Sequence, residues 1–203
     1  MADRTGKNNE IKIHHHLASR SGTHPGSAHV ITILDHFQIQ GPNGEHDVVV
    51  SQIVGPHLEA MSYDDAVKED RGSLVYQVMV GTSSLHHPGV AHGGSVNSHA
   101  NRSTTHGCDL DLHWGNIAFE VSDFDGMPEK NVIRTLGTPF CEPLITEDHR
   151  RQTESLPKYV VIAAKLEDHV KRDPLRLKII DLGEGSLRLP HTWHRGINTL
   201  QPS

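Results

Sequence analysis

Two apolar segments on either side of a turn signal constrain the fold of this chain most strongly. Residues 29–39 and 47–54 are rich in β-branched and other apolar side chains, and Gly41-Pro42-Asn43-Gly44 separates them. Glycine, proline and asparagine are preferred in tight turns, and two strand-like segments joined in this way predict a hairpin. A third β-branched segment, residues 175–180, predicts a strand that leads directly into Asp181.

Helical patterns accompany these strands. Ile13 and Leu17 lie four positions apart within residues 10–17, which predicts a short helix. Residues 73–85 carry apolar side chains at helical spacing, and residues 117–121 predict another short strand. The length of 203 residues favours one domain. We therefore expect an α+β domain, and no internal repeat is evident.

Composition and charge exclude several classes of partner. The formal net charge is −6, whereas nucleic-acid binding requires a basic surface. No apolar run approaches the length of a membrane span, and the first nine residues show no secretory signal. Cys108 and Cys141 are too few for a disulfide framework and are expected to be reduced thiols. We expect a cytoplasmic or nuclear protein, or both, with no nucleic-acid or membrane partner. The oligomeric state cannot be predicted from these patterns.

Three polar residues have the spacing that phosphoryl transfer requires. This chemistry needs an aspartate beside the attacking hydroxyl, an asparagine five residues later and a second aspartate after a strand, the last two to hold metal ions. Asp111 and Asn116 have the five-residue separation, and Asp181-Leu182-Gly183 follows an apolar strand. Either motif alone is common by chance, but together and in this order they predict a kinase-type site. The 18 histidines lack the ligand framework of a metal site.

Several longer motifs resemble the fungal branch of the serine/arginine-rich-protein-specific kinases, which are Ser/Thr kinases. The similarity covers nearly all of residues 10–190 and is carried by residues 34–37, 41–44, 54–58, 89–93, 112–120, 155–160 and 178–184. The resemblance implies an incomplete two-lobed protein-kinase-like fold. Residues 10–58 would supply part of the N-lobe sheet, the αC helix and the hinge. Residues 59–203 would begin the helical C-lobe, with inserts at 94–110 and 122–174.

The resemblance also implies roles for individual residues, with ATP and Mg²⁺ as cofactors and an Arg/Ser-rich protein as the substrate. Asp111 would be the catalytic base, His92 would brace the catalytic loop, and Glu10 would pair with an ATP-binding lysine. Ser51 would be the gatekeeper, and Gln52 to Val54 would form the hinge that binds adenine. The expected positions are therefore catalytic Asp111, His92 and Glu10, ATP-binding Ser51, Gln52 and Val54, and Mg²⁺-binding Asn116 and Asp181.

The chain departs from the family pattern in three places. No Gly-rich loop or strand lysine precedes Glu10, and the sequence ends about twenty residues after Asp181. Residues 94–110 interrupt the catalytic loop, and His106 within them imitates the histidine role given to His92. We expect this insertion to pull the histidine away from the base, and we hypothesise that it is translated from an unspliced intron. Two functions follow: an active Ser/Thr kinase, or a catalytically inactive kinase remnant that serves as a binding module or is a gene fragment.

Overall fold

The structure, a computed structural model, describes residues 9–20, 24–93, 111–121, 124, 126–144 and 156–187. These residues form four α-helices and small antiparallel sheets, which confirms a mixed α+β fold. The helices are α1 Asn9–Arg20, α2 Asp65–Glu69, α3 Arg71–His86 and α4 Glu129–Leu136. The strands are β1 Ile33–Gly41, β2 Gly44–Ser51, β3 Val54–His57, β4 Val90–Ala91, β5 Ile117–Glu120, β6 Cys141–Pro143, β7 Tyr159–Val161, β8 Leu177–Ile179 and β9 Ser186–Leu187.

The predicted hairpin is confirmed, with different bounds. β1 and β2 pair antiparallel up to Gly41 opposite Gly44, where the sequence predicts the turn. β1 begins at Ile33 rather than at His29, because residues 25–29 form a 3₁₀ turn that packs on α3. The second apolar segment is divided between two sheets: β2 ends at Ser51, and the chain then enters β3 in a different sheet. Continuous β-branched composition therefore does not imply one strand.

The central sheet has the order β3-β5-β8, and all its pairs are antiparallel. α3, which the sequence predicts over residues 73–85, packs on this sheet. A first buried cluster fills the interface between α2, α3 and the sheet: Leu58, Met61, Val67, Leu74, Ile117, Phe119, Val170, Leu175 and Leu177. A second cluster joins α1 to the other end of the sheet: Ile13, Leu17, Val30, Leu85, Val90, Ile179 and Leu182. The apolar pair that predicted α1 is therefore part of the core.

One buried polar side chain fixes α3 against β8. The Gln77 amide nitrogen donates to the Leu175 carbonyl at 2.9 Å, and its oxygen accepts from the Leu177 N–H at 2.9 Å. The side chain thus satisfies two backbone groups at the free edge of the sheet, as buried polar groups require. This pairing sets how far α3 can slide along the strand that leads to Asp181.

The predicted 122–174 insert contacts the first buried cluster through Val170, whereas two other described parts of it lie at the surface. α4 buries none of its residues, and β6 and β7 form a separate exposed hairpin. Among the residues that the structure describes, no helix is long and apolar enough to cross a membrane. Cys141 is an exposed free thiol, and Cys108 lies outside the described residues.

Candidate functional site

The turn that follows β8 carries Asp181. The Ile180 N–H donates to the Asn116 carbonyl at 2.9 Å, so the end of β8 is bonded to the start of β5. Asp181 has a φ of 58°, in the left-handed region that non-glycine residues rarely adopt. Its Oδ1 atom accepts from the Gly183 N–H at 3.3 Å. A left-handed aspartate is unfavourable by itself, so the surrounding contacts must hold it in place.

Asp111 and Asn116 form one hydrogen-bonded unit. The Asn116 amide nitrogen donates to the Asp111 carbonyl at 3.0 Å and to its Oδ2 atom at 3.2 Å. The 3₁₀ turn Trp114–Asn116 between them is capped by His113, whose Nδ1 accepts from the Gly115 N–H at 3.0 Å. The five-residue spacing therefore has a structural meaning: it closes a short loop on which the Asn116 side chain orients the Asp111 carboxylate.

His92 and Gly93 lie against this unit. His92 is fully buried, and its Nε2 atom donates to the Ile180 carbonyl at 2.8 Å. A Cβ atom added to Gly93 would lie 2.2 Å from the Asp111 Cβ, so the two residues are in close contact. The expectation that the insertion at 94–110 pulls this histidine away from the base is wrong. The two ends of an insertion can remain neighbours at little cost, since loop-closure entropy rises slowly with length. His106 lies outside the described residues.

The N-terminus of α1 contacts the same turn. Glu10 accepts a hydrogen bond from the Leu182 N–H, and Leu182 is fully buried beside Ile13. Burial of the Glu10 carboxyl and the negative charge of Asp181 both raise its pKa, more than the Leu182 hydrogen bond lowers it. The site therefore holds two carboxylates whose charges oppose each other, and a cation near them would relieve that repulsion.

The three residues expected at the adenine site connect the hairpin to the central sheet. Ser51 is exposed, and its hydroxyl donates to the Gln52 carbonyl at 3.3 Å. The Gln52 N–H donates to the Thr32 carbonyl at 3.0 Å, and Val54 pairs with Glu120 at the end of β5. Asn116 immediately precedes β5, so the two groups of candidate residues lie near opposite ends of one strand, roughly 13 Å apart at the usual rise.

The end of β5 near Val54 carries an ion pair. Lys171 donates to the Glu120 carboxylate at 2.7 Å. Burial acts to raise the pKa of Glu120, but the hydrogen bond and charge of Lys171 outweigh it and lower the pKa. Among the described residues, no group of three His, Cys, Asp or Glu side chains lies close enough to hold a metal ion. A metal at this site would therefore need the Asn116 amide and ligands from a bound molecule.

Sequence reasoning missed Asn9. Its amide nitrogen donates to the carbonyls of Gly183 at 2.9 Å and Gly185 at 2.8 Å, more than 170 positions away. An exposed asparagine at a helix start is ordinarily explained by local capping. No pattern in the sequence signals that it binds the Asp181 turn instead.

Comparison with known proteins indicates a class. No protein-family model matches the chain. A serine/threonine protein kinase of Aspergillus fumigatus, present in two strains, is 31% identical over 84 residues, which are 39% of this chain and 21% of that kinase. The serine/threonine-protein kinase SKY1 of Saccharomyces cerevisiae is 29% identical over 112 residues, which are 50% of this chain and 12% of that kinase.

The chain thus spans about a fifth or less of the length of these relatives. The similarity is partial and distant, and it relates the chain to fungal serine/threonine protein kinases at the level of that class.

Proposed function

We propose that Asp111, Asn116 and Asp181 belong to the phosphoryl-transfer site of a serine/threonine protein kinase. The cofactors would be ATP and Mg²⁺, and the substrates serines of Arg/Ser-rich proteins. The observation that carries the proposal is the bond from the Asn116 amide to the Asp111 carboxylate, in a loop that also binds the strand end before Asp181. Similarity to fungal kinases supports the class. On this proposal residues 10–58 are an N-lobe remnant with its hinge, and residues 59–203 begin the C-lobe.

In this proposal the side chains divide the work of transfer. Asp111 accepts the proton of the substrate's serine hydroxyl while the serine oxygen forms a bond to the γ-phosphorus of ATP. The bond between that phosphorus and the β,γ-bridging oxygen breaks, and ADP is released. The Asn116 amide holds the accepting carboxylate in a fixed orientation. His92, through the Ile180 carbonyl, fixes the strand end that carries Asp181.

The residues present fit magnesium. Asp181 supplies a carboxylate and Asn116 an amide oxygen, and Mg²⁺ prefers hard oxygen ligands while keeping several waters. Burial, and after it the negative charge of Asp181, raises the pKa of Glu10, and a divalent cation bound to Asp181 would offset the second effect. When bound, the ion would neutralise charge on the phosphate oxygens. Adenine would bind to backbone groups of Gln52 and Val54, with Ser51 beside them. The Gln52 carbonyl already accepts a bond from the Ser51 hydroxyl at 3.3 Å and has a second lone pair for a ligand donor.

One observation favours the second candidate, an inactive kinase remnant. A lysine partner lowers the pKa of a carboxylate, whereas the surroundings of Glu10 raise it. A site in this condition could bind a metal ion without placing the phosphates for transfer.

Binding and transfer can be measured separately. Phosphate incorporation into an Arg/Ser-repeat peptide should be lost in Asp111→Asn and Asp181→Asn but retained in Asp168→Asn, which changes an exposed acid away from the site. Mg²⁺-dependent ATP binding should be lost in Asp181→Asn and survive in Asp111→Asn. A parent chain that binds Mg²⁺ and ATP without transfer would establish the inactive remnant. The proposed site would be refuted if the parent showed no Mg²⁺-dependent ATP binding and Asp181→Asn bound ATP as the parent does.

A further inference from the structure

The side chain of Asn9 spans the turn that follows Asp181. One amide nitrogen donates to two backbone carbonyls, those of Gly183 at 2.9 Å and Gly185 at 2.8 Å. A primary amide carries two N–H groups on one nitrogen, so both bonds can form at the same time. Serine and threonine have one donor and an ionised aspartate has none. The position therefore selects for an amide, not merely for a polar residue at the start of a helix.

Helix α1 packs directly against this turn. The Gly185 N–H donates to the Leu182 carbonyl at 2.9 Å, which closes the turn on itself. Leu182 is fully buried, so it anchors the turn to the core. A Cβ on Gly185 would lie 2.5 Å from the Ile13 Cδ1 atom, so α1 packs directly on the end of the turn. Asn9 and Ile13, one helical turn apart, thus contact the same segment.

Asp181 needs such support. Its φ of 58° lies in the left-handed region that non-glycine residues rarely adopt, so the contacts around it must hold it there. The two bonds from Asn9 supply such contacts, because they fix the carbonyls of Gly183 and Gly185 two and four positions further along the chain.

We propose that Asn9 is a positioning residue for Asp181, acting through the carbonyls of Gly183 and Gly185. This inference rests on the proposed function, in which Asp181 binds the metal. Asn9 contacts neither the metal nor the nucleotide. Its contribution is to hold the turn in the geometry that presents the carboxylate, so α1 controls the metal site through its first residue.

The test compares Mg²⁺-dependent ATP binding in three variants of the full chain. Asn9→Ala removes both hydrogen bonds and should weaken it by at least about tenfold, a factor that roughly matches the loss of even one bond of ordinary strength. Asn9→Gln keeps the amide and should recover most of the affinity. Lys12→Gln, on the exposed part of the same helix, should match the parent. ATP binding without Mg²⁺ should be equal in all of them, which a general loss of stability would not produce.

Hydrogen exchange separates failure of this inference from failure of the proposed function. The amide of Gly185 should exchange faster in Asn9→Ala than in the parent and return toward the parent rate in Asn9→Gln. This holds whether or not the protein binds ATP. Unchanged exchange in Asn9→Ala would overturn the clamp itself. If the parent binds ATP with Mg²⁺, and Asn9→Ala exchanges faster but binds ATP equally well with Mg²⁺, the positioning role of Asn9 would be overturned.

Discussion

Replacement of Gly93 by alanine tests the closest contact in the site. Gly93 has a φ of 89°, and the added Cβ would lie 2.2 Å from the Asp111 Cβ and 3.3 Å from its Cα and Cγ atoms. Real Cβ atoms essentially never approach other heavy atoms within 3.0 Å, so the backbone at Gly93 or Asp111 must move. The substitution therefore separates the segment that contains His92 and Gly93 from the loop that carries Asp111.

The cost of this substitution has two parts. The left-handed φ costs alanine about 1–2 kcal/mol. Overpacking at a fixed backbone position costs about 1–3 kcal/mol more. We therefore expect the free energy of unfolding to fall by about 2–5 kcal/mol. A control measures a backbone cost without the steric part: Gly137 has a φ of 78° and a ψ of −176°, and nothing lies within 4 Å of its added Cβ. That conformation is essentially restricted to glycine, so Gly137→Ala should cost about 1–3 kcal/mol.

Urea unfolding of the two variants measures the difference, provided that both transitions are two-state with equal m-values. An excess cost of Gly93→Ala over Gly137→Ala would report the steric part against Asp111. Equal costs would mean that the two residues are not in contact, and the insertion at 94–110 would then separate the halves of the loop as first expected. Transfer or Mg²⁺-dependent ATP binding, if present, should fall in Gly93→Ala alone.

Three further predictions concern stability. Deletion of residues 94–110 should leave the melting temperature at or above that of the parent, because the flanking residues already touch; a large fall would contradict this. Burial, with a smaller effect of His15, lowers the pKa of His14 to about 4, from an ordinary value of 6.5. A buried neutral histidine makes stability greatest above pH 6.5 and reduces it as the pH falls toward 4. We expect the free energy of unfolding to fall by about 1–2 kcal/mol over this pH range, after allowance for the partial exposure of His14. In His14→Phe, the free energy of unfolding from urea titrations should not show this dependence on pH. Gln77→Leu leaves two backbone groups of residues 175 and 177 unpaired, and should cost about 2–4 kcal/mol in the same assay, unless water replaces the amide.

Elements defined by local periodicity were predictable from the sequence. The helix over α1 follows from Ile13 and Leu17, and the hairpin turn from the residues at 41–44, because both patterns act within a few positions. The division of residues 47–54 between two sheets was not predictable. It depends on Val54 pairing with Glu120, a residue more than sixty positions away, and a β-branched segment has the same composition whichever sheet it joins.

The candidate site shows the same limit. The spacing of Asp111 and Asn116 predicted that the two residues belong to one site, and the structure bonds them directly because five residues suffice for the Asn116 side chain to reach back. The contact of Gly93 with Asp111 and the bonds of Asn9 were missed. Both depend on where distant segments meet, and a glycine or an exposed asparagine has many local explanations. A sequence insertion likewise gives a separation along the chain and no distance in space.

Ile180 explains how the site tolerates two inserts. The Ile180 N–H donates to the carbonyl of Asn116, which precedes the 122–174 insert, and the Ile180 carbonyl accepts from His92, which precedes the 94–110 insert. Ile180 itself follows both inserts, so its backbone bonds together three segments that the inserts separate along the chain. Neither bond depends on the Ile180 side chain. Together with the bond from the Asn116 side chain to the Asp111 carboxylate, these contacts hold Asp111 and the strand end before Asp181 in one arrangement.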